Sequence, residues 1–324
     1  MLGPPTNFKY GIASQGVPIL GGGGMFTQGN SYFVNALNGS DSYDGKSASR
    51  AKATILAAYN LTTSGQNDIV YMLGGTTANT LAASLTWSNS YTHLIGIGAP
   101  CHDSQRTRIF HSANFSPMIT VSGSGCIFQN LYFSYGDDHA DNHILMTLTG
   151  SRNYFGNVHF SAMSHQTEAD DADSIGIYLN NCQSNLFDHC NFGNQNVARG
   201  DANTLLSLNN HVKRVKFEAC LFQIWADAAT PTFLRTEGTD AFDNLGCWFN
   251  DCLFMAQGTT LTQGFDIHAM AQSSTKRRLV AITGASMFVG CTVVADGTGD
   301  EFIRTTSYET SAGNTALKAI TISA

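Results

Sequence analysis

Charged side chains make up 13% of the 324 residues, about half of the ~25% usual for soluble domains, and the formal net charge is −7. With no dense basic stripe, the sequence argues against direct binding of nucleic acid. It has no apolar run near the ~18 residues of a membrane span, and its start lacks the basic and apolar regions of a signal peptide. We therefore expect a protein made in a cytosol that binds neither nucleic acid nor membranes.

Residues 1–29 are rich in Gly and Pro and have no apolar periodicity. Such a segment buries little surface by itself, so it is either a disordered tail or an arm that becomes ordered on a neighbouring subunit. The apolar residues Phe8, Tyr10 and Ile12 favour the arm. We predict an extended arm over 1–29, followed by one elongated domain over 30–324.

Residues 30–73 are predicted to form an N-terminal cap and the first coil of that domain. Ala48–Leu61 has apolar residues on one helical face, with Ser47 as its N-cap. Strands are expected on either side of this helix, at Asn30–Val34 and at Asp68–Leu73. A helix in this place suits the open end of a solenoid, which would otherwise expose its core.

A six-residue unit recurs further along the chain. It consists of Phe, two free positions, a small apolar residue, one free position, and then Phe or Val. Successive copies begin 27, 32, 30, 32 and 39 residues apart, an interval typical of solenoids. The six copies are Phe128–Phe133, Phe155–Phe160, Phe187–Phe192, Phe217–Phe222, Phe249–Phe254 and a degraded copy, Phe288–Val293.

Short runs of alternating apolar and polar residues lie between these units and end in Gly or Asn. This alternation is the period of a strand with one buried face, and Gly and Asn suit left-handed corners. Strands without helical stripes over roughly 30 residues per coil predict an all-β fold, a right-handed parallel β-helix. The runs are Ile119–Val121, Met146–Leu148, Ile177–Leu179, Leu206–Leu208 and Val280–Ile282.

Four of the eight cysteines, Cys190, Cys220, Cys252 and Cys291, occupy one column of the repeat. In a parallel coil this column faces inward, with neighbours about 4.8 Å apart. We interpret them as free thiols that act as small apolar fillers; disulfides are the less favoured alternative. No pair has metal-ligand spacing, so we assign no metal and no cofactor.

The cap carries a more specific resemblance. Its motifs resemble the opening of pectate-lyase-like β-helix proteins, above all those that tailed bacteriophages carry as virion components. The similarity covers about 45 residues and implies the fold, but it marks the cap and not an active site. The motifs are Asn30-x-Tyr32-Phe33-Val34, Gly39-Ser40-Asp41-x-x-Asp44-Gly45-x-Ser47, Ala53-Thr54-Ile55-x-Ala57-Ala58 and Asp68-x-Val70.

The long connections are predicted to follow the Phe units at one corner of the coil, the side on which solenoids commonly bind. They carry the acidic residues that a lyase would need to hold Ca²⁺, or that a glycosidase would need as a carboxylate pair. The alternative is that they are hydrated loops, with His139, His143 and His165 as exposed loop histidines and Trp225 either packed or a sugar platform. The carboxylates are Asp137, Asp138, Glu168, Asp171 and Asp227.

Two functions compete. The resemblance of the cap to phage proteins, the short chain and the apolar arm favour a non-enzymatic virion protein that decorates the capsid, with the major capsid protein or other virion subunits as partners and the virion as its location. Self-association and binding to surface glycans are further expectations. The alternative is a carbohydrate-active β-helix enzyme, such as a tailspike-type depolymerase or lyase. The sequence assigns no catalytic residue.

Overall fold

The computed structural model describes residues 29–111, 113–136, 143–268, 278–295 and 302–305, together with 13–14 and 17–18. The last two segments are short antiparallel strands, β1 (Ala13–Ser14) and β2 (Val17–Pro18). Apart from them, the predicted arm over 1–29 and a last strand predicted at Leu317–Ile322 lie outside the described residues.

The rest of the described chain is a solenoid of short parallel strands. Strands β3–β12 span Ser31–Val34, Asp68–Leu73, Asn79–Leu81, Leu85–Trp87, Thr92–Ile97, Arg108–His111, Ile119–Val121, Ile127–Gln129, Tyr132–Ser134 and Ile144–Leu148. Strands β13–β21 span Tyr154–Gly156, His159–Ser161, Ile175–Asn180, Leu186–Asp188, Asn191–Arg199, Thr204–Asn209, Val215–Glu218, Leu221–Ala226 and Thr232–Glu237. Strands β22–β28 span Leu245–Asn250, Leu253–Gly258, Leu261–Asp266, Leu279–Thr283, Met287–Val289, Cys291–Ala295 and Ile303–Thr305.

Every third strand joins the same sheet, so each coil supplies one strand to each of three sheets. Among the described residues, sheet 1 has ten strands, β3, β4 and then every third strand from β7 to β28. Sheet 2 has eight, from β5 to β26, and sheet 3 has eight, from β6 to β27. All pairs within these sheets are parallel, which confirms the predicted all-β parallel β-helix.

The interior holds two facing columns of Phe rings. In sheet 1, Phe155 stacks on Phe187 with ring centroids 4.6 Å apart, and in sheet 2, Phe192 stacks on Phe222 at 4.5 Å. Rings of the two columns meet edge to face, as Phe187 and Phe192 do at 5.7 Å. Offset stacks and edge contacts are the favoured arrangements of aromatic pairs. The stacking predicted from the repeat is therefore confirmed.

The register predicted for the last coil is wrong. Phe288 pairs with Phe254 in sheet 2, and the partner of Phe249 in sheet 1 is Ile282. Ile282 and Phe288 are six residues apart, whereas the Phe pairs of earlier coils are five apart, so one extra residue shifts the unit. Consequently Val280–Ile282 belongs to sheet 1, and Cys291 lies in sheet 3, outside the column of Cys190, Cys220 and Cys252.

The cysteines are free thiols, and all eight fall within the described residues. Seven are buried, as predicted for apolar fillers. The Sγ atoms of Cys190 and Cys220 donate to the carbonyl oxygens of Phe155 and Phe187 at 3.3 and 3.5 Å, so each thiol bonds the coil before its own. Burial raises the pKa of Cys291 to about 11, which keeps its thiol protonated.

In each of the six coils from Phe128 onward, one left-handed residue makes the corner between sheets 1 and 2. Each follows the first Phe of its unit, or Ile282 in the last coil, by two positions. At the corner for which Gly and Asn were predicted, the one that follows the alternating runs, Asn181 and Asn210 are left-handed. Asn and Gly adopt this conformation with little strain, and they stand at three of the six left-handed positions between sheets 1 and 2. The series is Asn130, Asn157, His189, Ala219, Asp251 and Gly284, with φ between 48° and 67°.

The capping helix is shorter than predicted. Ala48–Arg50 is a 3₁₀ turn, and the α-helix α1 covers only Ile55–Tyr59. Ser47 makes no side-chain cap; Thr54 does, accepting from the Ala57 N–H. The carboxylate of Asp41 accepts from the backbone N–H groups of Ala53 and Thr54, which holds the chain extended before α1.

As predicted, α1 lies between the first two strands of the solenoid, β3 and β4. It buries Ile55, Ala58 and Tyr59 in the core. A second helix, α2, spans Gln166–Ala169. No helix of the described chain has the length and apolar character needed to cross a bilayer.

Candidate functional site

The connections predicted after the Phe units include 193–204, 223–232 and 255–264. They lie between sheets 2 and 3, at one corner, but these three are shorter than predicted. The segments 193–199, 223–226 and 255–258 are strand rather than loop, because β17, β20 and β23 continue past the Phe unit. Loops remain at 162–174, 200–203, 227–231 and 259–260. Extra strand residues pair with the next coil and leave less loop at this corner.

The acidic residues of that corner do not share one environment. Asp137 and Asp138 lie outside the described residues, as does His139. Glu168 lies in α2 and is 1% exposed, so it is not part of a hydrated loop. Asp171 lies beside His143, with Oδ2 3.2 Å from Nδ1, and Asp227 is exposed.

Two other residues of this corner have structural roles: His165, which was predicted to be an exposed loop histidine, and Arg199. His165 caps α2, since its Nδ1 accepts from the Thr167 N–H at 3.3 Å. Arg199 is completely buried, and burial lowers the pKa of its guanidinium to about 9. Its carbonyl oxygen accepts from the N–H groups of Asp227 and Ala228. These residues pack the corner. The interpretation of the acidic residues as hydrated loops is wrong for the buried Glu168, whereas Asp227 is exposed, as that interpretation expected.

A denser set of chemically active side chains lies on the outer face of sheet 1. In each Phe unit, the residues on either side of the first Phe point away from the core, because side chains alternate along a strand. Residues from four successive coils therefore form a continuous surface, here named the sheet 1 patch. It comprises Tyr154, Asp188, His189, Lys216, Glu218, Trp248 and Asn250.

Asp188 is the hydrogen-bond centre of one half of the patch. Its Oδ2 accepts from the Tyr154 hydroxyl of the preceding coil at 2.9 Å. Its Oδ1 lies 2.6 Å from Nδ1 of His189, whose side chain is 66% exposed. Burial, together with the bond to Asp188, raises the pKa of the Tyr154 phenol, so the phenol keeps its proton and donates. The result is a chain of contacts that runs from the half-buried Tyr154 through Asp188 to the exposed His189.

Glu218 is the centre of the other half. Its Oε2 lies 2.5 Å from Nζ of Lys216, and its Oε1 accepts from Nδ2 of Asn250 at 2.7 Å. The Lys216 ammonium also lies 4.5 Å from the ring centre of Trp248. Trp248 is 37% exposed, and its Nε1 donates to Oγ1 of Thr283 at 2.6 Å. The indole is thus fixed at its polar edge, with part of its ring open to solvent.

The loop over residues 98–107 borders the patch on the side of sheet 2. Asp103 Oδ1 lies 2.9 Å from Nδ1 of the buried His159, and this hydrogen bond lowers the pKa of Asp103. His102 hydrogen-bonds to the backbone of His189, and its pKa is lowered mainly by burial. Gln105 donates to the carbonyl oxygen of Asn157 at 2.9 Å. The loop is therefore attached to the coils that carry Tyr154 and His189.

The two carboxylates of the patch are neighbours across the ladder, since Asp188 and Glu218 are register partners in adjacent coils. Adjacent strands lie about 4.8 Å apart. Two carboxylates, an imidazole and an exposed indole on one face can bind hydroxyl-rich molecules and can move protons. Within the described residues, no group of three or more His, Cys, Asp or Glu is arranged to hold a metal ion.

Sequence reasoning missed this patch because its members occupy the free positions of the repeat. The residue type at a free position does not indicate which residue, about 30 positions away, will lie next to it in the following coil. One signal was present: Asp188-His189 and Lys216-x-Glu218 interrupt a chain that is otherwise poor in charge. Aligning the units in columns would have placed these residues, with Trp248, on one surface.

No protein-family model matches the sequence, and no curated protein matches it. Solved structures do. A pectin methylesterase in complex with a hexasaccharide aligns with a TM-score of 0.55 and 11% identity, over 86% of this chain and 90% of its own. A rhamnogalacturonan lyase aligns with a TM-score of 0.54 and 13% identity, over 81% and 68%. ORF18 of Geobacillus virus E2 gives a TM-score of 0.48 and 14% identity, over 81% and 52%.

At these identities the similarity shows a shared fold, the right-handed parallel β-helix. The resemblance to pectate-lyase-like proteins is thus confirmed for the fold. The TM-score of the viral protein is too low to support an argument about function, so the predicted virion role has no support from this comparison.

Proposed function

We propose that this chain is a carbohydrate-active protein that binds a polysaccharide along the sheet 1 patch and acts on it there. The observation that carries the proposal is the partly exposed indole of Trp248 beside Lys216, Glu218 and Asn250. Sugar rings have apolar faces that pack on aromatic rings and hydroxyls that bond to carboxylates and amides. Both kinds of contact are available on this face.

The shape of the face supports an extended ligand. The patch runs along the solenoid axis over the coils of Tyr154, Asp188, Glu218 and Trp248, each step adding about 4.8 Å. A polymer can therefore contact several coils at once. Two structural neighbours carry the names of carbohydrate-active enzymes, a pectin methylesterase in complex with a hexasaccharide and a rhamnogalacturonan lyase, and this supports the proposal for a chain of the same fold.

The test compares two tryptophans with equal exposure. Trp248 and Trp225 are both 37% exposed, but Trp225 lies on the outer face of sheet 2, away from the patch. We expect Trp248→Ala to weaken polysaccharide binding by about tenfold, since a lost aromatic contact of ~1.4 kcal/mol corresponds to that factor. Trp225→Ala should bind as the parent does. The measurement is retention in affinity electrophoresis across a panel of neutral and acidic polysaccharides.

The assay has clear adverse outcomes. Absence of retention on every polysaccharide in the panel would overturn the proposal. An equal loss of polysaccharide retention in Trp248→Ala and Trp225→Ala would show that the patch is not the specific binding surface. Products are followed in the same samples as new reducing ends, unsaturated sugars or released acids, because binding alone does not show turnover.

The virion hypothesis remains a second proposal, which rests on the cap motifs over 30–70. It would have capsid or other virion subunits as partners and the virion as its location. Deletion of residues 1–25 should then stop incorporation into particles while the coil stays folded. Normal incorporation of the shortened chain would remove the role proposed for the arm.

A further inference from the structure

Resting on the proposed function, we infer that His189 is the general base of an esterase reaction on the bound polysaccharide, with Asp188 as the residue that positions it. The reaction is hydrolysis of an ester group carried by a sugar. The inference comes from three features of the patch: the orientation of the imidazole, its access to solvent, and the contacts that surround the two carboxylates.

Asp188 determines which nitrogen of His189 can act. A carboxylate oxygen 2.6 Å from Nδ1 requires the proton on Nδ1. In the neutral imidazole, Nε2 then carries the lone pair. The Tyr154 hydroxyl bonds the second oxygen of Asp188 at 2.9 Å and so fixes the plane of the carboxylate. An orienting carboxylate behind an imidazole is the arrangement of a general base.

The corner position leaves the imidazole accessible. His189 has a left-handed backbone, φ 51°, where Asn157 stands in the coil before and Ala219 in the coil after. The methyl group of Ala219 is the smallest side chain available at this position other than that of glycine, and it leaves space on that side of the ring. The 66% exposure of the His189 side chain is consistent with a water molecule and a substrate reaching Nε2.

The surroundings of the carboxylates favour ester hydrolysis over cleavage of the glycosidic bond. A glycosidic oxygen must be protonated as it leaves, usually by a carboxylic acid. Here Tyr154 and His189 face the oxygens of Asp188, while Asn250 and Lys216 face those of Glu218. A carboxylate whose oxygens both face hydrogen-bond donors is held in its charged form, which accepts hydrogen bonds and has no proton to give to a leaving group. An ester needs only one base, which can return the same proton to the leaving group.

The step balances with water as the sole co-reactant. The water oxygen forms a bond to the acyl carbon while its proton moves to Nε2 of His189. The tetrahedral intermediate then collapses with rupture of the bond between the acyl carbon and the alkoxy oxygen, and Nε2 returns the proton to that oxygen. The products are a carboxylic acid and an alcohol, one of which remains on the sugar chain.

The decisive variant is His189→Asn. Asn already occupies the equivalent left-handed corner at Asn130 and Asn157, so the fold accepts it there. His211→Asn is the matched control. His211 is also left-handed, with φ 64°, and lies 3.0 Å from a carboxylate oxygen of Asp243, but it belongs to a different corner. Substrates are an acetylated xylan, a methyl-esterified pectin and 4-nitrophenyl acetate.

We expect the parent chain to release acetate, methanol or nitrophenol, and His189→Asn to lose about 100-fold or more of kcat, within the range for a general base. Polysaccharide retention should fall far less than kcat in that variant, because the variant keeps the stacking surface of Trp248. Asp188→Asn should lower kcat far more than it changes KM, because the carboxylate orients the imidazole, while His211→Asn should behave as the parent.

Each other result is informative. Retention without ester release from any substrate, or release that survives in His189→Asn, would overturn the inference while the proposed function stands. Loss of release in His211→Asn to the same degree would also overturn it. Loss of retention in the parent would instead remove the proposed function itself.

Discussion

The inward and outward faces of the same strands differ sharply. In β16, Phe187 points inward and repeats the Phe of the coils on both sides, while Asp188 points outward and has Gly156 and Glu218 at the equivalent positions of those coils. Inward positions share one environment, which selects one residue type again and again. Outward positions are free of that constraint, and chemistry can be built there without cost to the core. This contrast indicates where function can arise in a solenoid, and four substitutions test it.

The largest effect on stability is expected inside, for Phe192→Ala. This ring is buried and stacks between Phe160 at 5.3 Å and Phe222 at 4.5 Å. Loss of a buried Phe side chain leaves a cavity and should lower the free energy of unfolding by about 3–5 kcal/mol. Urea denaturation followed by circular dichroism measures it.

Trp248→Ala is the outward counterpart, a still larger aromatic removed from the surface, and it should change the free energy of unfolding by less than about 1 kcal/mol. Similar losses for Phe192→Ala and Trp248→Ala would erase the contrast between the two faces.

An intermediate loss, between those of Phe192→Ala and Trp248→Ala, is expected for Asn153→Ala, which removes a buried amide that links successive coils. Asn153 Oδ1 accepts from the Cys126 N–H at 2.8 Å, and its Nδ2 donates to the Gly123 carbonyl oxygen at 3.0 Å. Without the amide these groups stay buried and unpaired, at a cost of about 1–3 kcal/mol. Thermal unfolding of this variant should be compared with that of Asn196→Ala, whose side chain is exposed; indistinguishable midpoints would show that the buried amide is dispensable.

The smallest effect is a gain, from Ala219→Gly. Ala219 is left-handed, φ 48°, where the last coil has Gly284. Glycine relieves about 1–2 kcal/mol of backbone strain but loses ~0.5–1 kcal/mol through its freer unfolded chain, so stability should rise by less than about 1 kcal/mol. Chemical denaturation measures whether the free energy of unfolding rises or falls in Ala219→Gly. A fall would show that the backbone at Ala219 is not strained.

Much of the fold could be predicted because the inward pattern repeats. The spacing of Phe128, Phe155, Phe187, Phe217 and Phe249 is enough to predict stacked coils, and the structure has them. The register of the last coil was predicted wrongly because matching by residue type placed Phe288 in the Phe column of sheet 1, whereas it lies in that of sheet 2. The extra residue before it is visible only once the partner strand is known.

The start of the capping helix was predicted wrongly for a different reason. Its apolar face was recognised correctly, but Asp41 binds the backbone at Ala53 and Thr54, a contact more than ten residues away in sequence. Periodicity cannot report such a contact, so the helix was predicted to begin too early.

The candidate site could not be predicted because residues that are clustered in the sequence are not the ones that cluster on the surface of the folded chain. The acidic run around Glu168 and Asp171 is conspicuous in the sequence, yet Glu168 is buried. Tyr154, Asp188, Glu218 and Trp248 are isolated in sequence and become neighbours only because the coils lie in register. Three-dimensional columns, and not local runs, define the patch.

The most direct test of the central claim is a crystal structure of the chain soaked with an oligosaccharide from the polysaccharide that it retains best. We expect sugar density on the outer face of sheet 1, with a ring packed on Trp248 and hydroxyls near Asp188 and Glu218. Density confined to the corner between sheets 2 and 3, or to the surface around Trp225, would contradict it.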